Sequence, residues 1–139
     1  MAVQYITFTI AGGLYGIEVL QVEETLGHHN RTPVPLAPRG VAGLVNLRGQ
    51  VVTTIDVRPK LGLPALSQDE ESMMVVIDLH GESMSLLVDE VGEVLSVEAD
   101  AFEPAPPTLS EEVRELVTGA YKLEGRLLLT LDVAAAVAA

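Results

Sequence analysis

The chain has no cysteine and no tryptophan, and three Tyr and two Phe are its only aromatic residues among 139 positions. Without cysteine there is no disulfide framework, no thiolate nucleophile and no Cys-based zinc site. Basic residues are also scarce: eight Lys and Arg face twenty Asp and Glu, for a net charge of −12. That balance excludes a general nucleic-acid binder, because phosphate recognition needs a basic face. No apolar run approaches the length of a membrane span. The N-terminus runs straight into an alternating segment, without the basic stretch and apolar stretch of a signal peptide. The expectation is a soluble, cytoplasmic protein with no membrane insertion. Apolar residues make up 48% of the chain, enough for a packed core in one domain or in two small modules sharing one.

What is present is a repeat. Gly43 to Val57, GLVNLRGQVVTTIDV, returns without a gap at Gly119 to Val133, GAYKLEGRLLLTLDV. Each copy has a short alternating run, a turn at charge-Gly-polar and a longer apolar run, which reads as a β-hairpin built twice. Arg48 stands where Glu124 stands, so two similar scaffolds carry opposite charge at one exposed tip. A second echo aligns Gly16 to Leu26 with Ser85 to Leu95, sharing Val19/Val88, Val22/Val91, Glu24/Glu93 and Leu26/Leu95. Two similar β modules follow, each too small to bury its apolar face alone.

The remaining segments are short. Val3 to Ile10 alternates, with Ile6, Phe8 and Ile10 on one face, and Ala11-Gly12-Gly13 turns it into a second strand. Residues 28 to 40 hold three prolines and read as an extended connection. In the first repeated hairpin Val51, Thr53, Ile55 and Val57 share one face, with Val52, Thr54 and Asp56 on the other. Arg58 to Gly62 predicts a helical turn stopped by Gly62. Met73 to Leu79 and Met84 to Asp89 read as strands, and Glu98 to Pro107 as extended and solvated. Thr108-Leu109-Ser110-Glu111 predicts a capping box for a short helix ending at Leu116. The Ala-rich tail from Val133 is a helix former too short to stand undocked. Many short strands with Gly and Pro turns make this an all-β protein.

Chemistry is hard to find. There is no nucleophile-elbow serine, no phosphate-cradling loop and no strand-to-long-helix unit for a dinucleotide. His28-His29 is the one candidate metal spot, but adjacent side chains on an extended strand point apart. Asp56 and Asp132 recur at strand ends and are expected to cap the turns that follow. Residues 31 to 60 hold Arg31, Arg39, Arg48, Arg58 and Lys60 against the single acid Asp56, so a basic patch is an expectation. No catalytic residue, cofactor or metal is expected.

Several fragments in order resemble the CheW-type chemotaxis coupling proteins. They are Leu14-Tyr15-Gly16-Ile17-Glu18-Val19, Val22-Glu23-Glu24, Val34-Pro35-Leu36-Ala37-Pro38 and Val41 to Gly49. They continue through Ile55-Asp56-Val57-Arg58, Leu61-Gly62-Leu63, Leu87-Val88-Asp89-Glu90-Val91 and Pro104-Ala105-Pro106. The resemblance implies two pseudo-symmetric SH3-like five-stranded barrels on a shared apolar core. Residues 1–139 would form one domain with intertwined subdomains at about 14–70 and 71–133, the N-terminal strand open to sharing. It implies a non-catalytic adaptor, monomeric when free and recruited to receptor arrays. Such an adaptor joins the cytoplasmic tip of a methyl-accepting chemoreceptor to the regulatory domain of a CheA-type histidine kinase. The alternative is a regulatory module of a non-flagellar pathway that binds receptor without productive kinase contact. The resemblance assigns Arg48 and Glu24 to the partner-binding surface, with Val22, Gly43, Asn46 and Val94 as further members. Ser85 stands where the family usually has Gly, and Thr53 where it usually has Pro.

Overall fold

Ala11 and Gly12 both take positive φ, 51° and 86°, and fold β1 (Ala2–Ile10) back on β2 (Gly13–Glu18). Two-residue turns of this hand match the twist of the strands they join. His80-Gly81 does the same between β6 (Met73–Leu79) and β7 (Glu82–Val88), with φ of 53° and 83°. Arg48-Gly49 does so between β4 (Val41–Leu47) and β5 (Gln50–Asp56), at 54° and 87°. The computed structural model describes residues 1–37, 40–67 and 70–138. The other strands are β3 (Val22–Leu26), β8 (Glu90–Glu98), β9 (Val117–Leu123) and β10 (Arg126–Leu131).

The strands form two five-stranded sheets, in the orders β8-β1-β2-β10-β9 and β3-β6-β7-β5-β4. Replacing β1 to β5 by β6 to β10, and the reverse, turns one order into the other. The registers agree: Thr54 faces Ser85 in the parallel β5–β7 pairing, and Thr130 faces Gly16 in the parallel β10–β2 pairing. Those are the residues matched by the two sequence echoes. The sheets do not divide the chain at 14–70 and 71–133, however. β1 and β2 of the first half complete the sheet of β8, β9 and β10, while β6 and β7 complete the sheet of β3, β4 and β5. The halves exchange hairpins because neither three-stranded remainder covers its own core.

Three apolar clusters result. Val45, Leu47, Val52, Met74, Val76 and Leu87 fill one barrel. Tyr5, Leu14, Tyr121 and Leu128 fill the other, with Tyr5 and Tyr121 ring centroids 5.5 Å apart. Burial raises the Tyr5 phenol pKa well above its ordinary range, helped by the Tyr121 hydroxyl. The third cluster lies between the sheets, where Phe8, Ile10, Ile17 and Leu131 meet Ile55, Val57, Ile77 and Leu86. Ile55 and Val57 thus share a face on the common core, and Val52 points into its barrel, as the alternation predicts. Each buried aliphatic or aromatic side chain contributes about 1.5–3 kcal/mol.

Local signals were mostly well placed. A 3-10 turn over Arg58–Leu61 stops at Gly62, whose φ is 76°. The tail docks as α2 (Val133–Val137), with Val133 and Ala136 buried and Asp132 capping Ala135 N–H; Ala139 lies outside the described residues. The helix α1 (Glu111–Leu116) is capped by Ser110, whose hydroxyl accepts Val113 N–H, and not by Thr108. A turn closed by Leu109 N–H on Pro106 C=O holds Thr108 outside the helix. Glu103 is bridged to Ala120, so the stretch after β8 is less solvated than its composition suggests.

Candidate functional site

The β4–β5 turn positions Arg48. Val45 and Leu47 point into the barrel, and Asn46 and Arg48 point out. Asn46 Oδ1 accepts Gly49 N–H at 2.9 Å, which fixes the turn. The Arg48 guanidinium then meets the Glu24 carboxylate with both nitrogens, Nη1 on Oε1 at 3.2 Å and Nη2 on Oε2. β3 and β4 are the two outer strands of their sheet, so this pair closes the barrel's seam. Arg48 remains 73% exposed at its side chain and Glu24 26%. Planar two-point pairing suits guanidinium and carboxylate. Arg48 holds the Glu24 carboxyl pKa below its ordinary range, through hydrogen bonding first and charge second.

Beside the pair lies a polar cleft of about 190 Å³, bordered by Glu23, Glu24, Arg48, Gln50 and Ser83. Ser83 donates its hydroxyl to Glu23, so Glu23 is held from β7 and Glu24 from the turn. The corresponding tip in the other barrel differs in charge and in backbone. There Glu124 replaces Arg48, and of Glu124-Gly125 only Gly125 has positive φ, 79°. Glu93, the repeat mate of Glu24, lines a cleft with Arg126, the mate of Gln50, in place of an arginine at the turn.

The other named residues separate. Val22 is half-buried against the core between the sheets. Val94 is 50% exposed but lies on β8, an edge of the other sheet. Gly43 is buried, with φ of 143°, and a Cβ there would stand 2.7 Å from Thr32 O. Its mate Gly119 is approached the same way by Glu103 O and Phe102. Both glycines admit a crossing segment, seen as the bridges Thr32–Leu44 and Glu103–Ala120. Only glycine combines that φ with that approach at Gly43.

Among the described residues the basic stretch does not make a patch. Arg31 is 6% exposed and donates from Nη2 to Ser67 O, Arg58 pairs with Asp89 at 2.5 Å, and Lys60 bonds Ala138 O. Arg39 lies outside the described residues. Arg31 was unreadable as a core residue because its neighbours are mostly polar or turn-forming; its contacts with Gly43 and Ser67 come from distant segments. Among the described residues no group of three His, Cys, Asp or Glu could hold a metal ion, and no helix is long and apolar enough to cross a membrane. His29 turns its ring to Gly27 O at 3.0 Å.

Residues 4–139 match the family profile described as the CheW-like domain. The chain is 32% identical over 130 residues to the chemotaxis protein CheW of Klebsiella aerogenes, covering 94% of this chain and 78% of that one. It is 30% identical over 127 residues to CheW of Bacillus subtilis, covering 91% and 81%. Among solved structures it is similar to the scaffolding protein TtCheW from Thermoanaerobacter tengcongensis, with a TM-score of 0.82 and 26% identity, covering 95% of this chain and 90% of that one.

Proposed function

The chain belongs to the CheW-like domain family, and from that premise we propose that it couples the cytoplasmic tip of a chemoreceptor to the regulatory domain of a CheA-type histidine kinase. It acts through surfaces alone, without a catalytic step or a cofactor. It works in the cytoplasm, recruited to receptor arrays. The observation that carries this reading is the Arg48–Glu24 pair: two strands distant in sequence hold an exposed guanidinium at one barrel tip, and the other tip offers an acid.

An exposed arginine already fixed by a carboxylate binds a partner with little further loss of side-chain freedom. It retains donors for a partner's carboxylate or backbone carbonyls, because guanidinium carries five N–H groups. Val22 and Gly43 support the surface from beneath, Val22 through the common core and Gly43 by letting Thr32 cross β4. Val94 and Val51, 50% and 61% exposed, supply aliphatic area for a barrel-on-barrel contact. Val94 would serve a separate contact from Arg48, since it lies in the other sheet.

The test uses purified full-length protein, a chemoreceptor cytoplasmic fragment and a CheA-type kinase. Co-sedimentation should recover all three together, with kinase activity under receptor control. Recovery of receptor and this protein without kinase would favour the regulatory module of a non-flagellar pathway, and binding to neither would end the reading.

A further inference from the structure

Asp56 and Asp132 occupy the same place in the two barrels, and each caps the helical turn that follows it. Asp56 Oδ1 accepts Arg58 N–H at 2.9 Å, and Asp132 Oδ1 accepts Ala135 N–H at 3.1 Å. Their second oxygens differ. Asp56 Oδ2 accepts the backbone N–H of Leu66 at 2.8 Å, and the Leu66 side chain packs on the cluster containing Met74 and Leu87. The segment 63–67 therefore plugs the end of the first barrel. Beneath it Asp56 is 2% exposed, and Thr54 and Ser85 are fully buried. Asp132 Oδ2 receives no donor among the described residues, and Asp132 is half-buried.

Where the plug would lie in the second barrel there is an open cleft of about 300 Å³. Its walls include Tyr5, Gly16, Glu18, Thr118, Thr130 and Asp132. By the shared registers these are the mates of Met74, Ser85, Leu87, Ala42, Thr54 and Asp56. The cleft is thus the unplugged counterpart of the site that Leu66 fills. Its volume is at the small end for ligand pockets and suits one or two side chains.

We propose that this cleft docks an extended segment of a partner protein carrying a leucine-sized aliphatic side chain. The side chain seats against Tyr5, and the segment's backbone N–H bonds Asp132 Oδ2, as Leu66 does with Asp56. Glu18 stands where the first barrel has Leu87, and with Asp132 it makes the rim acidic. A lysine or arginine flanking the aliphatic residue therefore fits better than an acid. A second copy of this chain is a poor occupant, because its own 63–67 segment is engaged by Asp56 and Arg31. Most of the site's walls belong to the opposite barrel from Arg48, with Leu79 and His80 of the β6–β7 turn closing one side, and it rests on no assignment of receptor or kinase.

The probe is a blocked peptide copying residues 63–67, LPALS, with a lysine at each end, titrated into the ¹⁵N-labelled full chain. The expected result is saturable shifts at the amides of Ile17, Glu18, Thr118 and Asp132. A control peptide with serine in place of the second leucine should produce none. Thr118→Trp should abolish the shifts by filling the cleft, with unchanged melting. Because that variant also removes the Thr118–Thr130 hydroxyl contact, Glu18→Lys provides a second arm and should weaken binding of this lysine-flanked peptide several-fold. No saturable shift at millimolar peptide would overturn the proposal. So would equal binding of the serine control, shifts clustered instead at Asp56 and Leu66, or a Glu18→Lys variant that binds as tightly as the parent.

Discussion

Ser85 stands directly opposite Thr54 in the parallel pairing of β7 with β5, both are fully buried, and neither hydroxyl has a hydrogen-bond partner among the described residues. The equivalent place in the other barrel is solved differently. Gly16 faces Thr130 there, and the Thr130 hydroxyl is satisfied by Gly119 O at 3.1 Å.

A buried hydroxyl left unpaired costs about 1–3 kcal/mol. Ser85→Ala should therefore leave stability equal or raise it by about 1 kcal/mol, measured by denaturant midpoint with an unchanged slope. A clear loss of stability would mean that Ser85 has a partner in solution.

Gly43→Ala should destabilise by roughly 2 kcal/mol, because the new Cβ meets Thr32 O while the backbone stays at positive φ. Gly125→Ala provides the contrast: its φ is also positive, at 79°, but open space surrounds it. It should cost roughly 1 kcal/mol, from backbone strain alone. Equal losses at the two sites would show that the crossing segment does not press on Gly43.

Asp89 ties three elements together. Its Oδ1 accepts from Arg58 Nη2 at 2.5 Å and its Oδ2 from the N–H of Ala11 at 2.8 Å. The β1–β2 turn of one sheet is thereby fixed to the end of β7 in the other. Asp89→Ala should cost about 1–3 kcal/mol by leaving a partly buried guanidinium without its carboxylate. Amide exchange should rise first at Ala11 and Gly12. Unchanged exchange there would argue against the tie.

The Glu24 carboxyl titrates below its ordinary range because Arg48 stabilises the charged form. A carboxyl depressed on folding adds stability above its unfolded pKa, near 4.3, and loses it as pH falls through the folded value. The pair should persist through the ordinary carboxylate range and dissolve only as pH falls below it. NMR titration of Glu24 in the parent and in Arg48→Gln checks this: the variant's midpoint should move up. An identical midpoint in both would show that the pair does not form in solution.

The hairpins were legible because their signals are local: alternation, a glycine at the turn, and a repeat that carried both into the second half. Asp56 and Asp132 as caps, and Gly62 as a helix stop, were readable for the same reason. The exchange of β1 and β2 into the far sheet was not, since pairing of Ala2 with Glu98 leaves no mark in either segment. Burial of Arg31 was hidden likewise, because the segment that covers it is distant in sequence. At the site, the outward direction of Arg48 followed from the alternation of Val45 to Leu47, whereas closure of the seam by Glu24 required knowing that β3 and β4 are the sheet's two edges.

The most direct test of the adaptor reading is ternary assembly of Arg48→Glu with receptor fragment and kinase, beside a thermal melt of the variant alone. Arg48 is exposed, and surface pairs of its kind contribute little to folding, so the melt should match the parent. Assembly should weaken at least about tenfold, because a guanidinium anchor becomes a carboxylate beside Glu24. A variant that assembles like the parent, or one that melts much earlier, would contradict the account.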